Sequence, residues 1–269
     1  MTHLQTRLRL WIQLQPLPTG SLKDRTMSES IAILSDIHAN LPALEAVLAD
    51  IESQGIRELL CLGDVVGYGA QPAECIELLR SKPFLSILRG NHDAYAASVV
   101  DPPDVSPETL EGVRWTRARL SLEHRAWLGA LPLTWQGGDC EAVHAALPNP
   151  EAWDYVLEPA AAARHFAHQQ QRICFIGHSH RPAMFVEGED RALDITSLES
   201  IRTDRKQVIN VGSVGQPRDK DERACYLIYR RERQDVWWRR VAYDVSAAQS
   251  AILAAGLPMK FAQRLAVGK

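Results

Sequence analysis

Ile176-Gly177-His178-Ser179-His180-Arg181 places two histidines one residue apart, directly behind the apolar run Ile173-Cys174-Phe175-Ile176. A short run rich in β-branched and aromatic residues, closed by glycine, reads as a buried strand that ends in a turn. Gly177 lets the backbone turn sharply and approach whatever the histidines hold. Two neutral imidazoles at one strand end suit a divalent metal ion. His178 and His180 taken alone fit a solvated loop equally well, so the surrounding chain has to decide.

Upstream, Ile31 to Leu34 is a similar apolar run and leads into Ser35-Asp36-Ile37-His38-Ala39-Asn40. Glu58 to Leu62 precedes Gly63-Asp64-Val65-Val66-Gly67, and Phe84 to Leu88 precedes Arg89-Gly90-Asn91-His92-Asp93. Between the first two runs, Leu44, Val47, Leu48 and Ile51 carry the spacing of one helical face over 41–54. Pro42 fits the first turn of that helix and Gly55 closes it. A second helix is predicted over 72–80. Strands alternating with helices at this spacing imply right-handed βαβ units and parallel strands.

Residues 94–108 read as a loop, because Asp101, Pro102, Pro103, Asp104 and Pro107 are turn formers. Residues 109–131 are helical in pattern and carry Trp115 and Trp127, so 94–131 forms a helical insert placed to cover a site. The tryptophans themselves are expected to pack on the sheet. Leu133 to Gln136, the turn Gly137-Gly138 and Cys140 to Val143 form a predicted hairpin ending at His144. A helix over 158–168 follows, then strands over 183–187, 207–211, 224–230 and 235–243, and a final helix over 245–255. The class is α/β, a two-sheet sandwich with helices outside, in one domain over 30–269.

The bulk composition agrees with a folded chain and removes several function classes. Of 269 residues, 46% are hydrophobic and 23% charged, which is ordinary for a globular protein. A formal net charge of −3 gives no reason to expect general nucleic-acid binding. Five scattered cysteines without a Cys-x-x-Cys pair argue against a thiolate zinc site or a disulfide framework. Buried reduced thiols point to the cytoplasm. No apolar run of about 18 residues exists to span a membrane. The stretch Leu8 to Leu17 is broken by Arg9, Gln13, Gln15 and Pro16, unlike a signal peptide. Residues 1–29 are expected to be a disordered extension, with Met27 as an alternative natural start.

Every candidate for chemistry follows an apolar strand. Asp36 and His38 follow the first, Asp64 the second, Asn91 and His92 the third, His144 the hairpin strand, and His178 and His180 the later one. Ligands in open α/β sheets sit beyond the carboxyl ends of the strands, so five segments can meet at one sheet edge. Singly, Ser35-Asp36 could cap a helix, and Gly63-Asp64 and Gly90-Asn91 could be turns. Jointly, they form a set of two aspartates, one asparagine and four histidines without cysteine. Mixed oxygen and imidazole donors suit manganese, iron, cobalt, nickel or zinc rather than calcium. Seven donors are too many for one ion and suit two ions that share a carboxylate, a device that clamps a phosphoryl group. His92, beside Asn91 and not needed as a ligand, is then a general-acid candidate.

In that combination the chain resembles the calcineurin-like metallophosphoesterase superfamily. The motifs stand in order: Asp36-x-His38, Gly63-Asp64-x-x-Gly67, Gly90-Asn91-His92-Asp93, His144 and Gly177-His178-x-His180. A further stretch, Asn210-Val-Gly-Ser-Val-Gly-Gln-Pro-Arg218, is similar to a segment of the small bacterial branch related to diadenosine tetraphosphate hydrolases. The resemblance implies a four-layer α-β-β-α sandwich of two mixed sheets. It implies that Asp36, His38 and His180 bind one divalent ion, that Asn91, His144 and His178 bind a second, and that Asp64 bridges them. Manganese is the first expectation for both. It also implies that a metal-bridging hydroxide attacks phosphorus, with His92 protonating the leaving oxygen or stabilising its charge. The substrate would be a small phosphoester, phosphodiester or dinucleoside polyphosphate, with nucleotides included.

Two departures matter. Ala145 follows His144 where the family usually has glycine. The stretch Gly63-Asp-Val-Val-Gly-Tyr-Gly lacks the second aspartate and the arginine of the Ser/Thr protein phosphatases, which argues against that alternative. A nuclease of the same superfamily is disfavoured by the charge. A phosphoesterase-fold scaffold that binds protein partners is disfavoured by the intact ligand set. Arg89 and Arg218 are candidates for phosphate contact. His3, His124, His165 and His168 fall outside the site, the last three as surface residues of helices. Arg230-Arg-Glu-Arg and Trp237-Trp-Arg-Arg240 are read as alternating exposed and packed strand positions.

Overall fold

Ile31, Ala32, Ile33 and Leu34 are all fully buried, because both faces of their strand are covered. The computed structural model of the protein describes residues 29–193 and 197–269. The expectation for residues 1–29 therefore lies almost wholly outside the described residues.

The elements run β1 (Ser30–Leu34), α1 (Leu41–Ser53), β2 (Glu58–Cys61), α2 (Pro72–Arg80), β3 (Phe84–Ile87), α3 (Asn91–Ala97), α4 (Pro107–Arg119), α5 (Leu122–Ala130), β4 (Thr134–Gly137), β5 (Cys140–Val143), α6 (Pro159–Phe166), β6 (Ile173–Ile176) and β7 (Ala183–Val186). They continue with β8 (Leu198–Ser200), β9 (Gln207–Asn210), β10 (Ala224–Arg230), β11 (Asp235–Val241), α7 (Val245–Ala254) and α8 (Met259–Leu265). The first sheet has the order β3-β2-β1-β10-β11-β8, and the second has β4-β5-β6-β9-β7. β1, β2 and β3 are parallel, as βαβ units require, while β10 and β11 pair antiparallel. In the second sheet β5, β6 and β9 are parallel, with antiparallel neighbours at both edges.

The period of two along each strand sorts the layers. Ile31, Ile33, Leu60 and Leu62 of the first sheet meet Ala142, Ile173, Phe175 and Ile209 of the second in the central core. The intervening Ala32, Leu34, Leu59 and Cys61 face outward onto Leu44, Val47, Ile51, Ile76 and Leu79 of α1 and α2. On the far side, Val143, Cys174 and Ile176 pack on Ala161, Ala162 and Phe166 of α6. This is the two-sheet, helix-flanked sandwich expected from the sequence. All five cysteines are buried free thiols. No helix among the described residues is long and apolar enough to cross a membrane.

Several expectations need correction. The stretch read as a loop from residue 94 begins in α3, whose start is capped by the Asp93 carboxylate, which accepts the Gly90 N–H at 3.0 Å. The single helix expected over 109–131 is two, because Ser121 accepts the His124 N–H at 3.0 Å and restarts the helix after an extended Leu120. Trp127 packs against the cluster on the outer face of the first sheet as expected, whereas Trp115 packs not on the sheet but against α7 and α8, donating to the Ala255 carbonyl at 3.0 Å. β8 and α8 had no predicted counterpart. α8 carries Phe261, Ala262 and Leu265 onto Ala248 and Ile252 of α7, a pairing that short-range periodicity does not reveal. His124 and His168 stay outside the core, but His165 is fully buried rather than on the surface.

His165 Nδ1 accepts the Leu147 N–H at 3.4 Å, and its Nε2 has no partner. Burial, followed by the neighbouring His168, lowers its pKa from 6.5 to about 4. The unfolded chain therefore takes up a proton before the folded one. The stabilisation held by neutral His165 is complete above pH 6.5 and is lost as the pH falls toward 4. His165→Gln keeps the acceptor without the titration. Urea denaturation should show the variant losing about 2 kcal/mol less stability than the parent between about pH 7 and about pH 5.

Candidate metal centre

The strand ends converge because loops from both sheets are stitched to one another. The Asp36 N–H donates to the Gly63 carbonyl at 3.0 Å, and the His38 N–H to the Asp64 carbonyl at 2.9 Å. The Gly177 N–H donates to the His144 carbonyl at 2.9 Å, and the Gly215 N–H to the Asp36 carbonyl at 2.9 Å. One point differs from the sequence reading: the polar residues do not share one sheet edge. Asp36, Asp64 and Asn91 follow strands of the first sheet, while His144 and His178 follow strands of the second. The site lies where the carboxyl ends of both sheets meet.

The local backbone is unusual. Asp36 (φ 54°), His38 (φ 49°), Asp64 (φ 52°), His178 (φ 65°) and His180 (φ 59°) all occupy the left-handed region. Each such residue costs about 1–2 kcal/mol outside glycine, a strain that persists only where the surroundings over-determine it. Close packing explains part of that determination. A Cβ on Gly177 would run into Ser35 Oγ and Asp36 Oδ2, and one on Gly90 into Asp64 Oδ1. Here glycine supplies space for a neighbouring carboxylate.

Each candidate ligand anchors one polar atom and frees the other. Asp36 Oδ2 accepts the His178 N–H at 3.0 Å, while its Oδ1 is buried without a partner. Asp64 Oδ1 accepts the His92 N–H at 2.8 Å, while Oδ2 lies 3.6 Å from His38 Nε2 and 3.5 Å from His144 Nε2. The imidazoles follow the same rule. His38 Nδ1 donates to the Val66 carbonyl at 3.1 Å, His144 Nδ1 to Leu62 at 2.9 Å and His180 Nδ1 to Gln216 at 2.6 Å. His178 is held by the backbone of Trp153. With Nδ1 carrying the proton, the neutral rings of His38, His178 and His180 present the Nε2 lone pair inward, the tautomer expected of a metal ligand, and His144 does so once a cation displaces the proton it shares with Asp64.

That arrangement is incomplete without a cation. His38 Nε2 and His180 Nε2 stand 3.0 Å apart, two lone pairs facing each other. His144 Nε2, His178 Nε2 and Asn91 Oδ1 are buried without hydrogen-bond partners. Unpaired buried polar atoms are costly, and a bound ion removes that cost. Burial holds His38 and His180 well below the ordinary histidine range and His178 at about 3, so all three are neutral donors at physiological pH. Burial also resists charge on Asp64 and His144, yet each holds the other: Asp64 stays well below the usual carboxylate range and His144 rises to about 9. Asp36, pushed up to about 7 by burial and then relieved by His144, is the acid most in need of a cation.

Two donor groups result, Asp36-His38-Asp64-His180 and Asp64-His144-His178, with Asp64 common to both. Asn91 is 7% exposed at the start of α3. His92 packs edge-on to His38 at 5.0 Å between ring centres and against Tyr68 at 4.4 Å. Its buried Nδ1, next to Gly67, has no partner, leaving Nε2 as the nitrogen able to meet a substrate. Burial lowers His92 to about 4. Ala145 is buried at 2%, and its methyl group is accommodated with the His144–Leu62 contact intact.

The two candidate arginines separate. Arg89 donates to the Gly129 carbonyl at 2.8 Å and to Glu151 at 2.9 Å, so its guanidinium ties α5 to the loop after β5. Arg218 has no carboxylate partner among the described residues. It donates to Gln216 Oε1 at 2.9 Å, its Nε is buried without a partner, and it lies 5.8 Å from the Tyr68 ring. Sequence reasoning gave no role to Asp93, whose carboxylate takes the N–H groups of Val65, Val66 and Gly90 at 2.9, 3.2 and 3.0 Å. It also overlooked Trp153 and Tyr155, which lie in an irregular loop with no periodic signal.

Known proteins resemble this chain in sequence and in fold. A family model described as the calcineurin-like phosphoesterase superfamily domain matches residues 30–233. The uncharacterized protein MJ0912 of Methanocaldococcus jannaschii is 37% identical over 244 residues, 89% of this chain and 98% of that protein. The crystal structure of a metallophosphoesterase from Sphaerobacter thermophilus superposes with a TM-score of 0.80 at 36% identity, covering 89% of this chain and 99% of the other. A hypothetical protein, PH1004 of Pyrococcus horikoshii, shares the fold with a TM-score of 0.74 at 21% identity, covering 89% and 98%.

Gly177→Ala separates steric demand from backbone preference. Its Cβ has no room beside Ser35 and Asp36, whereas a Cβ on Gly55 (φ 69°) meets nothing within 4 Å. In metal-free protein, Gly177→Ala should cost about 1–3 kcal/mol from overpacking, and Gly55→Ala only about 1 kcal/mol from strain, by urea denaturation. Metal analysis should show impaired loading for Gly177→Ala alone.

Proposed function

The chain belongs to the calcineurin-like phosphoesterase superfamily and is a metal-dependent hydrolase, and on that footing we propose that it cleaves a small phosphoester, phosphodiester or dinucleoside polyphosphate at a centre of two divalent ions. The observation that carries this reading is Asp64 Oδ2, placed within 3.6 Å of His38 Nε2 and 3.5 Å of His144 Nε2 and so shared by both donor groups. Asp36, His38 and His180 complete one set, and Asn91, His144 and His178 the other. The mixed imidazole and carboxylate donors accept manganese, iron, zinc, nickel or cobalt, and manganese is the ion we propose. When bound, such a pair lowers the pKa of water and neutralises phosphoryl charge.

The chain's own residues supply the rest. Arg218, a half-buried cation without a carboxylate partner among the described residues, binds a phosphoryl oxygen. His92 holds its proton at Nε2, because an unpaired lone pair at the buried Nδ1 is cheaper than an unpaired N–H. From there it donates a hydrogen bond that stabilises the charge developing on the leaving oxygen, and an anionic substrate raises the ring's proton affinity toward the imidazolium that full proton transfer requires. Asp93 fixes the geometry by pinning the Val65–Val66 turn to the start of α3. Buried reduced thiols suit a cytoplasmic setting.

Metal-stripped protein refilled with manganese and offered p-nitrophenyl phosphate, bis-p-nitrophenyl phosphate, diadenosine tetraphosphate and a phosphopeptide tests the class. Hydrolysis of a small ester or anhydride is expected, and turnover of the phosphopeptide alone would overturn the small-substrate reading. His92→Ala should retain both ions and lose about 10²–10⁴-fold in kcat toward poor leaving groups, with much less effect on p-nitrophenolate. Unchanged turnover removes the general-acid role. Asp64→Ala should carry neither ion by elemental analysis, and retention of two refutes the bridge.

A further inference from the structure

The loop between β5 and α6 holds a feature that the hydrolytic centre does not use. Val156 is 4% exposed, whereas its neighbours Tyr155 and Leu157 are 48% and 57% exposed. This alternation puts Tyr155 and Leu157 outward together. The Tyr155 ring lies parallel to the His178 imidazole, with centres 4.1 Å apart and planes 18° apart. One ring face is therefore covered by a candidate ligand of the second donor group, and only the opposite face can take a further stacking partner.

The segment that presents this ring is braced. Trp153 sits in the left-handed region at φ 59° and holds His178 through its backbone. Glu151 is tied to Arg89 at 2.9 Å, and the Leu147 N–H to His165 at 3.4 Å. Arg218 lies 5.8 Å from the Tyr68 ring, and Tyr68 packs on His38 and His92, so the guanidinium borders the same centre. An exposed aromatic face contributes little to folding, since it stays in water. Beside a cationic centre on a rigid support, it is a preorganised stacking surface.

We propose that Tyr155, extended by Leu157, determines specificity by stacking a planar aromatic group of the substrate, a nucleobase or aryl ring, while Arg218 takes the phosphoryl charge. This rests on the phosphoesterase reading above. The stacked ring sits on the side of the second donor group, attached to the phosphorus bound there. Stacking is sequence-tolerant because every such ring has a π face.

Three non-hydrolysable probes test it by calorimetry on manganese-loaded protein: ethylphosphonate, phenylphosphonate and the 5′-phosphonate of 5′-deoxythymidine. The aromatic probes should bind at least about fivefold more tightly than ethylphosphonate. Tyr155→Phe should keep that ratio. Tyr155→Leu, which retains apolar cover on His178, should collapse it toward unity with metal content unchanged. A tighter thymidine probe assigns the nucleobase, and equality with phenylphosphonate assigns a simple ring. An equal loss for all three probes in Tyr155→Leu would make Tyr155 a support for His178 and overturn the proposal. Equal affinities in the parent protein would overturn it and leave hydrolysis standing. If no phosphonate binds and no phosphate ester is cleaved, the phosphoesterase reading and the platform fail together.

Discussion

The site depends on a division of labour within each polar side chain. One atom of Asp36, Asp64, His38, His144 and His180 is held by the backbone, and the other points into a buried space. A carboxylate or imidazole fixed at one end cannot rotate away to satisfy its free end. The folded chain therefore concentrates unpaired donors that water does not reach. Folding stabilisation elsewhere offsets this cost, and a cation relieves it.

The two sheets make that concentration sustainable. Their facing apolar surfaces, Ile31, Ile33, Leu60 and Leu62 against Ala142, Ile173, Phe175 and Ile209, fix the relative position of the strand ends. Loops leaving those ends have no freedom to separate the candidate ligands. Five candidate ligands in left-handed backbone conformations are further evidence of this constraint, since isolated loops would relax. The segment after β9 closes the arrangement. Ser213 Oγ donates to the Asp36 carbonyl at 2.9 Å, and Asn210 Nδ2 reaches the Gly177 carbonyl at 2.5 Å and Ser179 Oγ at 3.0 Å. Its resemblance to a known segment was visible in the sequence, but its bracing action was not.

Strands buried on both faces were legible because an unbroken apolar run needs no partner to be recognised. Ile173–Ile176 and Ala224–Arg230 were placed to the residue. α1 and α2 were legible because proline starts and apolar spacing are local signals. The break between α4 and α5 was less so, because serine at a cap and serine inside a helix look alike until the backbone turns. α8 is short and stabilised by α7, so its own spacing carried little information. His165 was misplaced for a similar reason: its burial depends on packing from a different part of the chain.

By itself, the sequence determined the inventory: two-sided apolar strands, helices between them, and metal-competent residues following strand ends. These follow from hydrophobic periodicity and side-chain chemistry, which are local properties. Only the tertiary structure decided that candidate ligands from both sheets share one space and that Arg89 is spent on Glu151 while Arg218 lacks a carboxylate partner among the described residues. It alone placed Tyr155 across His178. Those are relations between residues distant in sequence. Their geometry is set by how the two sheets pack and how loops share hydrogen bonds, and a residue's own type and near neighbours do not specify either.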